Sequence, residues 1–186
     1  MKEYYHVSYI ELFEGQILNL NSSQYKVDYE EKGLYSDNEV KLMIIELFPN
    51  GISHHGLTYL TPNFTFPLIE SKNYIEYVTM IECTFEYMRR LKFVHLPSRF
   101  ESVFACKNIE DAIKLKENYR KTNHAKIYKI TSEISFEADM NFLKMGRCIL
   151  SNFTIAEKYW SGKKSENPFN EILLKENVRV IEEIKK

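Results

Sequence analysis

Glycine and proline are scarce in this 186-residue chain, at six and five residues. That excludes collagen-like and low-complexity architectures. It also leaves little material for a phosphate-cradling loop, and neither a Gly-x-Gly-x-x-Gly nor a P-loop pattern occurs. Cysteine is sparse as well. Cys83, Cys106 and Cys148 are odd in number and far apart, which fits free thiols in a reducing compartment and neither a disulfide framework nor a zinc ligand set. No run approaches the roughly 18 uninterrupted apolar residues of a membrane span. The opening MKEYYHVSYIELFEGQIL carries acidic residues where a secretory signal needs an apolar core. The expected location is cytoplasmic, with no membrane partner. An excess of one charge sign is missing too: 25 Lys+Arg against 26 Asp+Glu give a formal net charge of −1. No global positive field is available to draw in nucleic acid, although a local basic groove is compatible with the totals.

What is present is a substantial core. Hydrophobic residues make up 44% of the chain, and thirteen tyrosines and twelve phenylalanines favour a structure containing sheet. The length suits one domain, 1–186, with a mostly helical or irregular insertion at about 21–95. YYHVSYI (4–10) reads as a strand. SYIELFEGQILNL (8–20) reads as a short helix, with Ser8 and Glu11 in capping-box spacing. EVKLMIIELF (39–48) fits helix or strand, and the proline-rich 49–67 reads as irregular. The strongest helical pattern covers 68–93, where Ile75, Val78, Ile81, Phe85 and Met88 share one face. There Glu82 and Glu86 stand at helical ion-pair spacing from Arg89 and Arg90. Asn108 is the expected cap of a helix that follows PSRFESVFA (97–105). AKIYKITSEISF (125–136) alternates as a strand, and short helices are expected in ADMNFLKMGRC (138–148) and TIAEKYWSG (154–162). NEILLKENVRVIEEI reads as two strands joined by a tight turn at KEN. The fold class is α+β.

Few residues suggest chemistry. His54-His55 has no further ligand at metal spacing, so solvent exposure is the expectation and no metal is expected. Cys106 has no neighbouring base and is expected to pack beside its strand. Three features stand out in order: His6 on the first strand, PSRFESVFA entering a buried strand through a polar turn, and Glu171 opening an apolar strand near the end. Each alone has a structural explanation.

In this order they resemble the ADP-ribosyltransferase-like superfamily, closest to a bacterial family catalogued as a domain of unknown function with that fold. The resemblance rests on YYHVSYIELFEGQIL, on FEYMRRLKFVHLPSRFESVFACKNIEDA, and on AEKYWSG through NEILLKENVRVIEEI, while residues 21–70 contribute little. It implies a split, curved β-sheet holding NAD as substrate. By the same resemblance His6 holds the adenosine-side ribose and Glu171 is catalytic, on the nicotinamide ribose. Ser98, Arg99 and Ser102 join His6 in binding NAD, with Arg99 a fork for the pyrophosphate. The histidine-type subgroup has a tyrosine in its second motif, where this chain has Ser102, Val103 and Phe104. Either Phe104 stacks on nicotinamide or a tyrosine comes from elsewhere, with Tyr159 the candidate. That departure bears on catalytic competence rather than fold.

The resemblance implies a bacterial or phage toxin or defence effector that transfers ADP-ribose to a protein, RNA or DNA acceptor, with an antitoxin or inhibitor protein as a possible partner. The alternatives are a non-catalytic relative that binds NAD or a partner, and an NAD glycohydrolase. An exposed apolar face on the 68–93 helix would mark a partner-binding role.

Overall fold

The computed structural model describes residues 1–18, 36–60, 72–118 and 124–185. In chain order the elements are β1 (Lys2–Ser8), α1 (Asp37–Leu47), α2 (His54–Leu60), α3 (Lys72–Lys92), β2 (Val103–Ala105), α4 (Ile109–Asn118), β3 (Lys126–Ser132), β4 (Ile134–Asp139), α5 (Ile149–Trp160), β5 (Asn170–Lys175) and β6 (Arg179–Ile184). One-turn 3-10 helices occupy Arg99–Glu101 and Met140–Phe142. The class is α+β, as the composition and patterning imply. Among the described residues no helix is long and apolar enough to cross a membrane. The chain forms two compact units, the first Met1–Asn19, His95–Pro97 and Val103–Lys186, the second Leu20–Val94 and Ser98–Ser102.

The first unit holds the six strands found among the described residues, in two antiparallel sheets ordered β1-β3-β6 and β2-β5-β4. An isolated bridge joins them: Tyr5 and Cys106 exchange backbone hydrogen bonds of 2.9 and 2.7 Å. The lattice therefore runs β6-β3-β1-β2-β5-β4, split between β1 and β2. The expected strand over 125–136 is in fact two, broken at Glu133, with β3 in one sheet and β4 in the other. The terminal pair is corrected in the same way. Both strands form and the turn lies at Glu176-Asn177, but β5 pairs with β2 and β4 while β6 pairs with β3. Ser132, buried where the chain changes sheets, sets its hydroxyl 3.0 Å from the Ile134 carbonyl and 3.2 Å from that of Lys175.

Strand alternation assigns two faces. Tyr4, Ala105, Tyr128, Ile130, Ile172, Leu174 and Val180 form one buried cluster. On the other face Cys106 and Ile127 pack against Ala112 of α4, with Tyr5 and Val7 alongside. Asn108 caps α4 as expected, its Oδ1 accepting from Asp111 N at 2.8 Å.

Other local expectations give way to tertiary pairing. Residues 9–18 form no helix. Ser8 Oγ turns onto Ile10, and the backbone of 15–18 hydrogen-bonds Val178 and Val180 instead. Only Met140–Phe142 of the expected helix at 138–148 is helical, while α5 begins at Ile149 rather than 154. Asp139 explains the first of these. Its fully buried carboxylate accepts from the backbone N–H groups of Asn141, Ser165 and Phe169 and from the Ser165 hydroxyl, which pins the chain into a loop.

In the second unit, Ser36 and Glu39 complete a capping box and settle 37–47 as helix. Residues 54–60 of the stretch expected to be irregular form α2, and 61–67 lie outside the described residues, as does the expected start of α3 at 68–71. Ser53 Oγ accepts from Gly56 N at 3.1 Å and starts α2. A Cβ on Gly56 would collide with the Phe100 carbonyl, so glycine is what lets the helix approach. Ile44, Phe48, Ile52 and Phe100 form the core here.

Glu176 and Asn177 both have left-handed backbone, with φ of 62° and 46°. Asn177→Val should lower stability by about 1–2 kcal/mol, whereas Asn177→Gly should not. Urea unfolding of the full chain compares them.

Candidate functional site

In the first unit the candidate residues gather around β2. Phe104 and Ala105 lie opposite Leu173 and Ile172 of β5. One step further, the same register sets Cys106 beside Glu171, which on its other side pairs with Ala138 of β4. Glu171 therefore projects from the face that carries Tyr5 and Cys106. It is only 5% exposed. The fully buried Tyr159 of α5 donates its hydroxyl to Glu171 Oε1 at 2.6 Å. Phe136 and Trp160 hold that tyrosine: Trp160 meets it edge-on with centroids 4.8 Å apart, and Phe136 stacks on Trp160 at 5.6 Å. Burial pushes the Cys106 thiol up to about 12, with the Asp111 and Glu171 carboxylates adding to the effect. Cys106 is thus protonated and packs as expected.

His6 begins on the opposite face, beside Tyr4, and its imidazole turns into the split. In an antiparallel pair, residues two apart point their backbone groups the same way, so the Phe104 carbonyl faces β1 as Cys106 does. The ladder stops at the single bridge, and His6 Nδ1 lies 2.7 Å from that carbonyl. A carbonyl only accepts, so Nδ1 carries the hydrogen and Nε2 is the acceptor of the neutral ring. Among the described residues Nε2 has no hydrogen-bond partner. Burial lowers the His6 pKa below its ordinary 6.5, against the bond to Phe104, which raises it. β1 and β5, which carry His6 and Glu171, lie two strand spacings apart, roughly 10 Å, with β2 between them, and the two residues start on opposite faces.

Two lysines stand at the same strand ends as Glu171. Lys107 and Lys164 both reach Glu137, at 3.0 and 3.2 Å, and Lys164 also reaches Asn170 Oδ1 at 2.7 Å. Sequence reasoning passed over these residues because no motif marks them.

Ser98, Arg99 and Ser102 belong to the second unit, and all three are buried there. Arg99 grips Glu82 with both arms of its fork, Nε to Oε2 at 2.9 Å and a terminal nitrogen to Oε1 at 3.0 Å. Ser98 donates to Glu86 Oε2 at 2.9 Å and caps the 3-10 turn by accepting from Phe100 N. Ser102 donates to the Ser98 carbonyl at 2.6 Å. Glu86 also receives two bonds from Arg89 and one from Arg90. The expected helical ion pairs form between Glu86 and both Arg89 and Arg90, within a network in which Glu82, Glu86 and Arg89 are buried. Burial pushes Glu82 up, but Arg99 and then His55 outweigh it and hold the carboxyl well below the usual range. The expectation of an exposed histidine pair holds for His54 only. His55 Nε2 lies 3.1 Å from Glu82 Oε1, and its ring packs on Tyr59 at 4.6 Å. Among the described residues no group of three or more His, Cys, Asp or Glu side chains is placed to hold a metal.

These features define an α+β protein whose strands form two antiparallel sheets joined at one bridge, with a first-strand histidine in the split. The chain belongs to the family described as Protein of unknown function (DUF2441), whose model matches residues 4–186. No curated protein matches it.

Removing one partner of a buried ion pair strands the other. Arg99→Leu or Glu82→Leu alone should therefore cost about 3–5 kcal/mol, and the two combined should cost less than either single change. Chemical denaturation of the four proteins tests this as a double-mutant cycle. His6 makes a separate prediction. Below pH 6.5 the unfolded chain takes up a proton that folded His6 resists, so stability falls as pH drops into the window between 6.5 and the depressed value. Comparing urea unfolding at about pH 5 and about pH 8, His6→Gln should flatten this part of the dependence.

Proposed function

We propose that this protein is an NAD-dependent ADP-ribosyltransferase-like enzyme built on a split sheet, with Glu171 as the catalytic carboxylate and His6 binding the adenosine-side ribose of NAD. The observation that carries this reading is the β1-β2-β5 lattice. Among the described residues one backbone bridge joins β1 to β2, His6 stands beside it, and Glu171 stands at the head of the strand beyond β2. Breaking the bond between ribose and nicotinamide builds positive charge on the sugar, as in glycoside cleavage. A carboxylate against the ribose hydroxyls stabilises that charge more in the transition state than in the ground state, and this is what accelerates the step. Tyr159 holds the Glu171 carboxylate in one orientation, and Phe104 offers an aromatic side chain on the same face of β2. The neutral His6 ring presents Nε2 as an acceptor for a ribose hydroxyl. Arg99 is committed to Glu82, so the cations that fit the pyrophosphate are Lys107 and Lys164, which share the single carboxylate of Glu137. The acceptor is a protein side chain or a nucleic acid base, and the cellular role that fits is a toxin or defence effector.

One observation favours a second reading, a non-catalytic relative of the same fold. Glu171 is 5% exposed and bonded to Tyr159, so a ribose reaches it only after that pair opens.

Incubation of the chain with labelled NAD and a whole-cell lysate should move label into protein, RNA or DNA. Glu171→Gln should keep NAD binding and reduce transfer by about 10²–10³. Equal transfer by the variant removes Glu171 from the mechanism. No calorimetric heat with millimolar NAD selects the non-catalytic reading, and nicotinamide release without any macromolecule makes water the acceptor.

A further inference from the structure

An ionised carboxylate accepts hydrogen bonds at two oxygens and donates none. Asp139, the last residue of β4 and fully buried, uses that capacity in full. Its Oδ1 accepts from Asn141 N at 3.0 Å and from Phe169 N at 3.1 Å. Its Oδ2 accepts from Ser165 N at 2.7 Å and from the Ser165 hydroxyl at 2.6 Å. Burial pushes the carboxyl up, but the Ser165 hydroxyl and the three N–H groups outweigh it and hold the carboxyl below its ordinary range. Two neighbours reinforce the grip. Asn141 Nδ2 donates to Ser165 Oγ at 2.9 Å and to the Asn167 carbonyl at 2.7 Å, and Met140 N donates to the Phe169 carbonyl at 2.7 Å. Among the described residues, every hydrogen bond of 165–169 ends on Asp139, Met140 or Asn141.

The segment so held joins the two partners of the candidate site. It leaves α5 just after Tyr159 and Trp160 and enters β5 just before Asn170 and Glu171. Gly162, with φ of 70°, turns the chain out of the helix, its N–H bonding the Tyr159 carbonyl at 3.0 Å. Asp139 does not act on Glu171 by contact. In the β4–β5 register it stands opposite Asn170, whereas Glu171 stands opposite Ala138, so the two carboxylates leave the sheet on opposite faces. What Asp139 does for Glu171 it does through 161–169. The quantity at stake is the 2.6 Å bond from the Tyr159 hydroxyl to Glu171 Oε1, which ties a helix to a strand. A displacement of about 1 Å at a reacting group is enough to cost roughly 10² in rate.

We propose that Asp139 is a positioning residue for Glu171, fixing 161–169 so that α5 sets Tyr159 on the Glu171 carboxylate. Its bearing on turnover rests on Glu171 being the catalytic carboxylate, as proposed above. The role needs both oxygens. In Asp139→Asn one oxygen keeps Asn141 and Phe169, but the amide nitrogen meets the Ser165 N–H donor to donor.

The coupling is measurable without turnover, because Asp139 and Tyr159 share no hydrogen bond. In urea unfolding of the full chain, Tyr159→Phe should lower the folded-to-unfolded ratio about tenfold or more. In an Asp139→Ala background the same change should lower it about threefold or less. Equal costs in the two backgrounds overturn the inference. Trp160, the chain's single tryptophan, is buried edge-on to Tyr159 and reports the same packing. Its emission should move to the red in Asp139→Ala and stay in place in Val180→Ala, which opens a cavity in the other sheet. An unmoved emission in Asp139→Ala counts against the inference as well. Should Asp139→Ala fail to fold, Asp139→Asn carries both measurements.

With labelled NAD, Asp139→Asn should lower kcat about tenfold or more and keep KM for NAD within about twofold, while Val180→Ala changes neither. A parental kcat in Asp139→Asn, or an equal loss in Val180→Ala, reduces Asp139 to a structural residue. A parent chain that transfers no ADP-ribose removes the proposed function instead, and the unfolding cycle and the Trp160 emission then decide this inference by themselves.

Discussion

One antiparallel bridge, Tyr5 to Cys106, joins the two sheets of the strand-bearing unit, and the lattice depends on what happens beside it. Two residues from Cys106, the Phe104 carbonyl faces β1 but meets an imidazole, His6 Nδ1, in place of a strand N–H. A carbonyl left without a donor there would cost about 1–3 kcal/mol. The histidine answers that need with a side chain where a strand N–H would otherwise stand. His6 is thus a structural residue first, whatever it binds. Holding the proton on Nδ1 also fixes Nε2 as an acceptor, so the bond that satisfies the Phe104 carbonyl determines the chemistry the ring can offer.

A second constraint governs the helical unit. Glu82 and Glu86 lie one turn apart on α3, where burial would be prohibitive without compensation. Arg99, Arg89, Arg90 and Ser98 supply it, and the 3-10 turn at Arg99–Glu101 brings Arg99 and Ser98 into reach. The polar Ser98-Arg99 pair ahead of a buried strand therefore has a purpose independent of any ligand: it satisfies carboxylates inside its own unit. In the proposed function this leaves Lys107 and Lys164, rather than Arg99, as the cations that meet a pyrophosphate.

The sequence carried much of the architecture. The α+β class, the first strand, the α3 periodicity, the Asn108 cap, and the turn at Glu176-Asn177 were all legible, because each rests on residues within one or two turns of one another. The helix expected at 8–20 and most of that expected at 138–148 were not realised. In both, an oxygen close in sequence (Ser8 Oγ, the Asp139 carboxylate) and distant strands offered the backbone partners that a local pattern cannot display. At the candidate site, Glu171 was legible as a carboxylate opening an apolar strand. Its bond to Tyr159 was not, since nothing in the spacing of the two marks a helix returning over a sheet.

What the sequence determined by itself was therefore local: which segments are apolar on one side, where caps and turns fall, and that no charge bias, glycine loop or membrane-length run is present. Tertiary structure alone decided that β3 and β4, and likewise β5 and β6, belong to different sheets, and that His6 enters the split. It also decided that Glu82 and Glu86 face inward while Tyr87 and Leu91 face outward. The physical reason is that side-chain periodicity gives the faces of an element but not which face is covered. That choice is made by the partners of each buried carbonyl and carboxylate, and those partners are brought together only when the chain has folded.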